Sequence, residues 1–176
     1  MITARYGSAA AGTHNEGLAF GGSGPLSCTE EYNGTSWSAG GILITSRVQL
    51  AGAGTQNVGL AAGGKTSVFV TCTEEYNGTS WSAGGVLAVA SYFVAGVGTQ
   101  NDGLVTGGYS APLGGNLSCT EEYNGTSWSA GGALATARYG LAAAGAQSAG
   151  LAAGGTAAGS GTEEYNKSLQ IFDCFL

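Results

Sequence analysis

The amino-acid sequence predicts an all-β fold, a β-propeller of four four-stranded blades, from three observations. The run CTEEYNGTSWSAGG occurs identically at 28–41, 72–85 and 119–132, and a shorter copy, GTEEYN, begins at Gly161. A second shared block precedes each copy, so that four repeats of about 45 residues fill the chain. Each repeat holds four short strand candidates separated by turn residues. This combination of strand number and period is typical of propeller blades.

The strand candidates of the first repeat follow one another in a regular order. The first, over 6–11, is rich in Ala and Gly. The second, Gly17–Phe20, is apolar and is closed by a Gly pair, whose positive φ angles can stop and turn a strand. The third, over 28–32, alternates with the period of two expected of a half-buried strand. The fourth begins at Thr35, after Asn33-Gly34, a dipeptide typical of a type I′ hairpin turn.

Propeller geometry accounts for the small and the large residues of the repeat. We expect one repeat domain with blades at about 3–43, 44–87, 88–134 and 135–176. The first strand of each blade lies nearest the axis, where Ala and Gly permit close approach, and aromatic residues fill the wider space further out. We therefore predict that Trp37, Trp81 and Trp128 pack between blades. Because four blades are at the low end for a closed propeller, the alternative is part of a larger ring formed by oligomerisation.

The order of landmarks in the repeat resembles the kelch family. A strand-leading Arg, found at Arg5, Arg47 and Arg138, precedes a Gly pair, a Tyr in the third strand and a Trp after the next turn. The third copy has Ser91 in place of the Arg, and the fourth copy lacks the Trp. The TEEYNGTSW runs are also similar to kelch-like arrays of bacteriophages and marine bacteria. The resemblance implies a propeller, and the equivalence of the three Arg positions favours a structural role for them.

Composition and charge exclude several classes of partner. The net charge is −6 with only five Lys and Arg residues, so we expect no basic surface for nucleic acid. No run approaches the roughly 20 apolar residues needed to insert into a membrane, and the N-terminal residues lack the apolar core of a signal peptide. We expect a soluble chain of unknown localisation, with the virion or the cell surface as candidates.

The chain is poor in residues for catalysis, and we expect it not to be an enzyme. His14 is the only histidine, and its equivalents in the other repeats are Gln56, Gln100 and Gln147. Adjacent acids such as Glu30-Glu31 would point to opposite faces of a strand, so they cannot act together as an acid/base pair. One acid of each pair is expected to pair with a first-strand Arg or to accept backbone N–H bonds. We predict no cofactor and no metal.

Three of the four cysteines occupy equivalent repeat positions. Ring symmetry should hold Cys28, Cys72 and Cys119 further apart than a disulfide allows, so we expect them to be reduced. Cys174 lies outside the repeat pattern.

Differences between the repeats indicate where function lies. The linker between the second and third strands varies most, reading SGPLS, KTSVFVT, YSAPLGGNLS and TAAGS. These linkers should lie on one face of the disc, and their apolar residues Val68, Phe69, Tyr109 and Leu113 are the predicted centre of an exposed binding surface. We expect a non-enzymatic protein-binding or structural assembly module that binds a protein partner or further copies of itself. The alternative is a carbohydrate-binding propeller lectin with a glycan ligand.

Overall fold

The computed structural model confirms an all-β fold of four antiparallel blades arranged as a β-propeller. It describes residues 1–156 and 160–167. Within these residues there is no α-helix, and one 3₁₀ helix spans Ala111–Leu113. The described segments therefore contain no helix with the length and apolar character to cross a membrane.

Each of the first three blades is a four-stranded sheet, and three strands of the fourth blade are described. Blade 1 consists of β1 (Ala9–Gly12), β2 (Gly17–Phe20), β3 (Thr29–Tyr32) and β4 (Trp37–Ala39). Blade 2 consists of β5 (Ala51–Gly54), β6 (Gly59–Ala62), β7 (Thr73–Tyr76) and β8 (Trp81–Ala83).

Blade 3 has an additional small hairpin between its second and third main strands. The blade consists of β9 (Ala95–Gly98), β10 (Gly103–Thr106), β13 (Thr120–Tyr123) and β14 (Trp128–Ala130). Its long linker forms the hairpin of β11 (Tyr109–Ser110) and β12 (Gly115–Asn116), with the 3₁₀ helix at its tip. Blade 4 contains β15 (Ala142–Ala146), β16 (Ala149–Ala153) and β17 (Thr162–Asn166).

The strand order is as predicted, but two local details are different. The first strand begins at Ala9 instead of residue 6, because Gly7 has a left-handed φ of 62° that interrupts the extended chain. The Asn33-Gly34 hairpin forms, but its turn is not type I′, since only Gly34 has a positive φ. The Asn33 side chain instead accepts the backbone N–H groups of Thr35 and Ser36, so the fourth strand begins later, at Trp37.

Small residues allow the inner strands of neighbouring blades to approach closely. A Cβ atom on Gly52 would lie 2.7 Å from the carbonyl oxygen of Ala10, and one on Gly96 would lie 2.8 Å from that of Gly52. Neither distance leaves room for a methyl group without movement of the backbone. The Ala and Gly content of the first strands is therefore explained by the narrow space near the axis.

The same contacts recur at each interface between successive blades. Leu18 of blade 1 packs on Gly59 of blade 2, where a Cβ would lie 2.6 Å from the Leu18 Cδ2 atom. Leu60 makes the same contact with Gly103, and Leu104 packs on Gly150 at 3.3 Å. These leucines are buried, so each blade fills the glycine gap of the next.

Side-chain hydrogen bonds across each interface also repeat. The hydroxyl of Tyr76 donates to Glu31 at 2.5 Å, and the indole Nε1 of Trp81 donates to the Thr29 hydroxyl at 2.9 Å. The Gln56 amide donates to the carbonyl oxygen of Tyr32 at 2.7 Å. Equivalent bonds join the later blades as Tyr123 to Glu75, Trp128 to Thr73, Tyr165 to Glu122, Gln100 to the Tyr76 carbonyl and Gln147 to the Tyr123 carbonyl.

The predicted tryptophans differ in their surroundings. Trp81 and Trp128 reach across to the preceding blade through the bonds described above, and Trp81 also contacts the ring of Phe20. Trp37 lies on the side of blade 1 that faces away from blade 2, where it contacts the ring of Tyr32 of the same blade. The position therefore packs between blades only where a preceding blade is present.

The cysteines require one correction. Cys28 and Cys72 are free thiols, but Cys119 is disulfide-bonded, so the prediction of a reduced Cys119 is wrong. The symmetry argument considered only pairs of equivalent cysteines, and the partner of Cys119 is not one of these. Cys174 lies outside the described residues.

Candidate functional site

The two faces of the propeller differ in the side chains that they expose. The loop face carries the linkers between the second and third strands and the connections between blades, and the turn face carries the short hairpin turns. Among the described residues, the large exposed apolar side chains of the loop face include Tyr6, Ile42, Ile44, Val68, Val86 and Leu113. Val58 is the one such side chain in a turn of the other face. Apolar exposure that is concentrated on one face is typical of interaction surfaces.

The four residues predicted to form the binding surface all lie on the loop face, in two different states. Val68 and Leu113 are 63% and 60% exposed, at the tips of their linkers. Phe69 and Tyr109 are half-buried, because their rings pack against each other and against neighbouring aromatic rings. The expectation of four exposed side chains is therefore wrong for the two aromatic ones.

Phe69 and Tyr109 belong to an aromatic cluster together with Tyr92, Phe93 and Tyr139. The ring of Phe69 stacks on that of Tyr92 with centroids 4.9 Å apart and an angle of 12°. Tyr109 meets both Tyr92 and Tyr139 edge to face, at 5.7 and 5.8 Å. Such geometries add favourable energy beyond the burial of the rings. The cluster joins residues from blades 2, 3 and 4 into one surface.

Backbone pairing holds the cluster in place. Tyr92 and Tyr109 exchange N–H···O bonds at 3.2 and 2.9 Å, and Lys65 forms bridges with both Val48 and Phe69. The aromatic residues thus lie on hydrogen-bonded backbone, which fixes the positions of their rings more closely than unpaired loops would. The sequence signal that could have found Tyr92 and Tyr139 was their position, one residue after Ser91 and Arg138 at the start of the repeat, where blade 2 has Val48.

Lys65 adds positive charge to the aromatic cluster. Its Nζ atom lies 5.6 Å from the centroid of the Phe69 ring and 5.5 Å from that of Tyr92. These distances are within the range of cation–π attraction. Among the ion pairs of the described residues, none includes Lys65. Its charge is therefore available to an acidic group of a ligand.

Phe93 holds an unusual backbone conformation beneath the cluster. Its φ is 56°, and the equivalent residues Gly7, Gln49 and Gly140 are also left-handed. The conformation is required because backbone bonds join these positions from blade to blade, with Gln49 N–H donating to Gly7, Phe93 to Gln49 and Gly140 to Phe93. A bulky residue in this region costs roughly 1–3 kcal/mol. Such strain is concentrated at functional sites, and here it puts an aromatic ring where two other repeats have glycine.

The predicted structural arginines form buried ion pairs within their own blades. Arg5 pairs with Glu30, Arg47 with Glu74 and Arg138 with Glu163. Each of these carboxylates also accepts two backbone N–H groups from the segment before its blade, as Glu74 does from Ile44 and Thr45. Burial alone would raise the pKa of Glu30, but the backbone donors and Arg5 lower it below the ordinary value.

Blade 3 has the same carboxylate without the guanidinium. Glu121 is buried and accepts the backbone N–H groups of Ala88 at 2.8 Å and Val89 at 3.1 Å. Ser91 occupies the Arg position, and burial raises the pKa of Glu121 above its ordinary value despite the two donors. Blade 3, which carries most of the aromatic cluster, is thus the blade with an uncompensated buried acid.

We expect Ser91→Arg to lower the pKa of Glu121 from above to below the ordinary carboxyl value of 4.5. In the parent chain the pKa of Glu121 is higher in the folded state than in the unfolded state. As the pH falls toward 4.5 the folded state therefore takes up the proton first, and the free energy of unfolding increases relative to neutral pH. With Arg present the sign reverses, and acid would reduce stability. A carboxyl ¹³C NMR titration of both chains measures this directly. Glu121 titrating below 4.5 in the parent would contradict the assignment.

The second acid of each pair serves the blade interface. Glu31, Glu75 and Glu122 accept the tyrosine hydroxyls of the following blades, and burial with these carboxylate bonds raises the pKa of Tyr76 and Tyr123. His14 is exposed on the turn face, far in sequence and position from the aromatic cluster. The repeated arginines and their partner acids are therefore used in packing within and between blades, and the aromatic cluster of the loop face has Lys65 beside it.

Comparison with known proteins leaves the family of the chain undetermined. No protein-family model matches the sequence, and no curated protein matches it significantly. The resemblance to kelch repeats thus stays a prediction from the order of landmarks. The identification that the structure supports is the fold itself: the chain is a four-bladed β-propeller array.

Proposed function

We propose that the chain is a non-enzymatic module that binds a protein partner through its loop face. The observation that carries the proposal is the aromatic cluster with Lys65 above it and with Val68 and Leu113 exposed at its edge. Tyrosine rings are enriched in binding hot spots, and the exposed aliphatic side chains beside them add apolar surface that a partner can bury. Partner binding suits a propeller, in which the blades hold the loops in fixed positions.

The charge of the site suggests which segments it would bind. Lys65 has no acidic partner among the described residues and lies over two rings. A segment with apolar side chains next to Asp or Glu would match both features. We further propose a kelch-type propeller within a phage or cell-surface assembly, which the repeat resemblance supports.

Selection from a displayed library of random peptides, with the whole chain as bait, tests the proposal. We expect enrichment of apolar peptides that contain acidic residues. The double variant Val68→Ser, Leu113→Ser should weaken binding of a selected peptide at least about tenfold, because full burial of a Val or Leu side chain contributes roughly 1.5–3 kcal/mol. Lys65→Met should remove the preference for acidic residues while apolar binding persists.

The matched control is Val58→Ser, which changes an exposed valine on the turn face. Equal weakening by the control and the double variant would contradict binding through the loop face. A glycan array run on the same chain separates the lectin alternative. A sugar that binds with repeated sites per chain would favour a lectin, since the aromatic cluster occurs once whereas lectin sites on propellers repeat.

A further inference from the structure

Among the described blades, the side of blade 1 that faces away from blade 2 and the side of blade 4 that faces away from blade 3 have no neighbouring blade. We call them the outer sides; together they carry the two complementary halves of the interface that joins successive blades inside the chain. The outer side of blade 1 carries Gly17, Tyr32, Trp37 and His14, and the outer side of blade 4 carries Leu151, Thr162 and Glu164. We propose that these two sides bind each other between two copies of this chain, which together form a ring of eight blades. The inference concerns a surface separate from the loop face.

The exposure of Leu151 shows that the described blades do not close on themselves. Its equivalents, Leu18, Leu60 and Leu104, are each no more than 2% exposed, whereas Leu151 is 41% exposed. On the other side, the atoms nearest to a Cβ on Gly17 belong to Thr13, Tyr32 and Trp37, all from blade 1. Within residues 1–156 and 160–167, Leu151 therefore has no glycine of another blade against it, and Gly17 has no leucine of another blade against it.

The polar groups of the two sides are complementary in the same way. Inside the chain the following blade donates from Tyr, Trp and Gln to the Glu, Thr and carbonyl oxygens of the preceding blade. On blade 1 the Tyr32 hydroxyl and the Trp37 indole make no such bond among the described residues, while Thr162 and Glu164 of blade 4 are exposed. A second copy would supply each donor with the acceptor that it has at the internal interfaces.

Two backbone groups near the axis, the Gly7 N–H and the Gly140 carbonyl, make no backbone bond among the described residues. The bonds that run from blade to blade begin at the Gly7 carbonyl, which accepts from Gln49, and end at the Gly140 amide, which donates to Phe93. In a second copy the Gly7 amide would donate to the Gly140 carbonyl and continue this series. His14 stands where the other repeats have Gln, so its ring N–H would replace the amide that donates to a Tyr carbonyl.

The number of copies follows from the number of blades. Head-to-tail contacts give a closed ring only if the rotation between units closes, and otherwise they give an open filament. Two copies make eight blades, the upper end of the usual range of about four to eight, while three would exceed it. The pair would have a two-fold axis along the centre of the ring and two identical contacts.

Sedimentation of the purified chain measures the predicted mass, which is twice 17.2 kDa. Leu151→Arg should raise the dissociation constant of the pair at least about tenfold, because a charged side chain would replace the leucine that packs on Gly17 of the second copy. Val58→Arg, which likewise introduces a charge at an exposed apolar residue but in a turn of blade 2, should leave the mass unchanged, and His14→Gln should preserve the pair. A monomer at all concentrations, an open polymer, or a pair unaffected by Leu151→Arg would overturn the proposal.

Disulfide trapping separates pairing of copies from closure of a single chain. One sample carries Gly17→Cys and the other Leu151→Cys; a Cβ at residue 17 meets its nearest atom at 3.5 Å, so the new side chain fits. Mixing the two under mild oxidation should give a covalent heterodimer, since the internal equivalents Leu18 and Gly59 are in direct contact. Gly17→Cys mixed with Val58→Cys, at an exposed residue in a turn of blade 2, is the control. Equal cross-linking in both mixtures, or none in the first, would refute the contact.

Discussion

Replacing Arg47 by Ser should lower the free energy of unfolding by about 3–5 kcal/mol, the cost of leaving a buried charge without its partner. Arg47 is fully buried, and its Nη2 atom donates to Glu74 at 2.9 Å. Its Nη1 atom donates to the carbonyl oxygens of Gly63 at 3.1 Å and Cys72 at 2.6 Å. The substitution would remove all of these bonds and leave the buried Glu74 carboxylate without its guanidinium partner.

Urea denaturation of both chains measures this loss, provided that the m-value is unchanged. The matched control is Lys65→Ser, which removes a half-buried cation without an ion pair among the described residues and should cost less than about 1 kcal/mol. An Arg47→Ser chain within 1 kcal/mol of the parent would contradict the structural role, where about 3 kcal/mol is expected. The comparison is informative because blade 3 has Ser91 at this position naturally.

Truncation of a leucine between blades should have the next largest effect. Leu60 is buried in a cluster with Ala53 and Tyr123, and it fills the gap left by Gly103. Leu60→Ala would open a cavity in this contact, and we expect a loss of about 2–5 kcal/mol in the free energy of unfolding. Thermal and urea unfolding would both report the loss.

Leu113→Ala is the control for this truncation, because the same atoms are removed from an exposed loop. We expect a change within about 0.5 kcal/mol there. The equivalent truncation in blade 4, Leu151→Ala, should be similarly mild at protein concentrations too low for association, and costly when two copies are joined. Equal losses for Leu60 and Leu113 would show that the blades are not held by these contacts.

Much of the fold could be predicted from the sequence because the same strand and turn signals occur in successive repeats. The period, the Gly pairs and the Asn-Gly turns predict four-stranded blades, and the second strand is placed correctly at Gly17–Phe20. The alternation of adjacent acids also predicts that Glu30 and Glu31 point to opposite faces and that one of them pairs with an Arg, as Glu30 does with Arg5. The bond of Glu31 to Tyr76 of the next blade was not predicted. These properties depend on the alternation of side chains along one strand or on the residues of one turn. Neighbouring residues therefore suffice to predict them.

The candidate site was only partly predictable. Val68, Phe69, Tyr109 and Leu113 are marked by the variation of their linkers, but nothing in the sequence indicates that Phe69 stacks on Tyr92. The cluster forms because the linkers that carry Phe69 and Tyr109 pack against the segments before the inner strands of blades 3 and 4, which brings together residues that are distant in the chain. The raised pKa of Glu121 likewise depends on burial, which the sequence does not state.

By itself the sequence determined the repeat, the strands, and the identity of the groups that join one blade to the next. The tertiary structure decided how far successive blades turn around the axis, and so which of these groups remain unmatched. The physical reason is that the angle between blades depends on the packing of Leu on Gly and of ring on ring at the whole interface. Every repeat encodes the same Gly-Leu pair, yet Leu151 is exposed and Leu18 is buried.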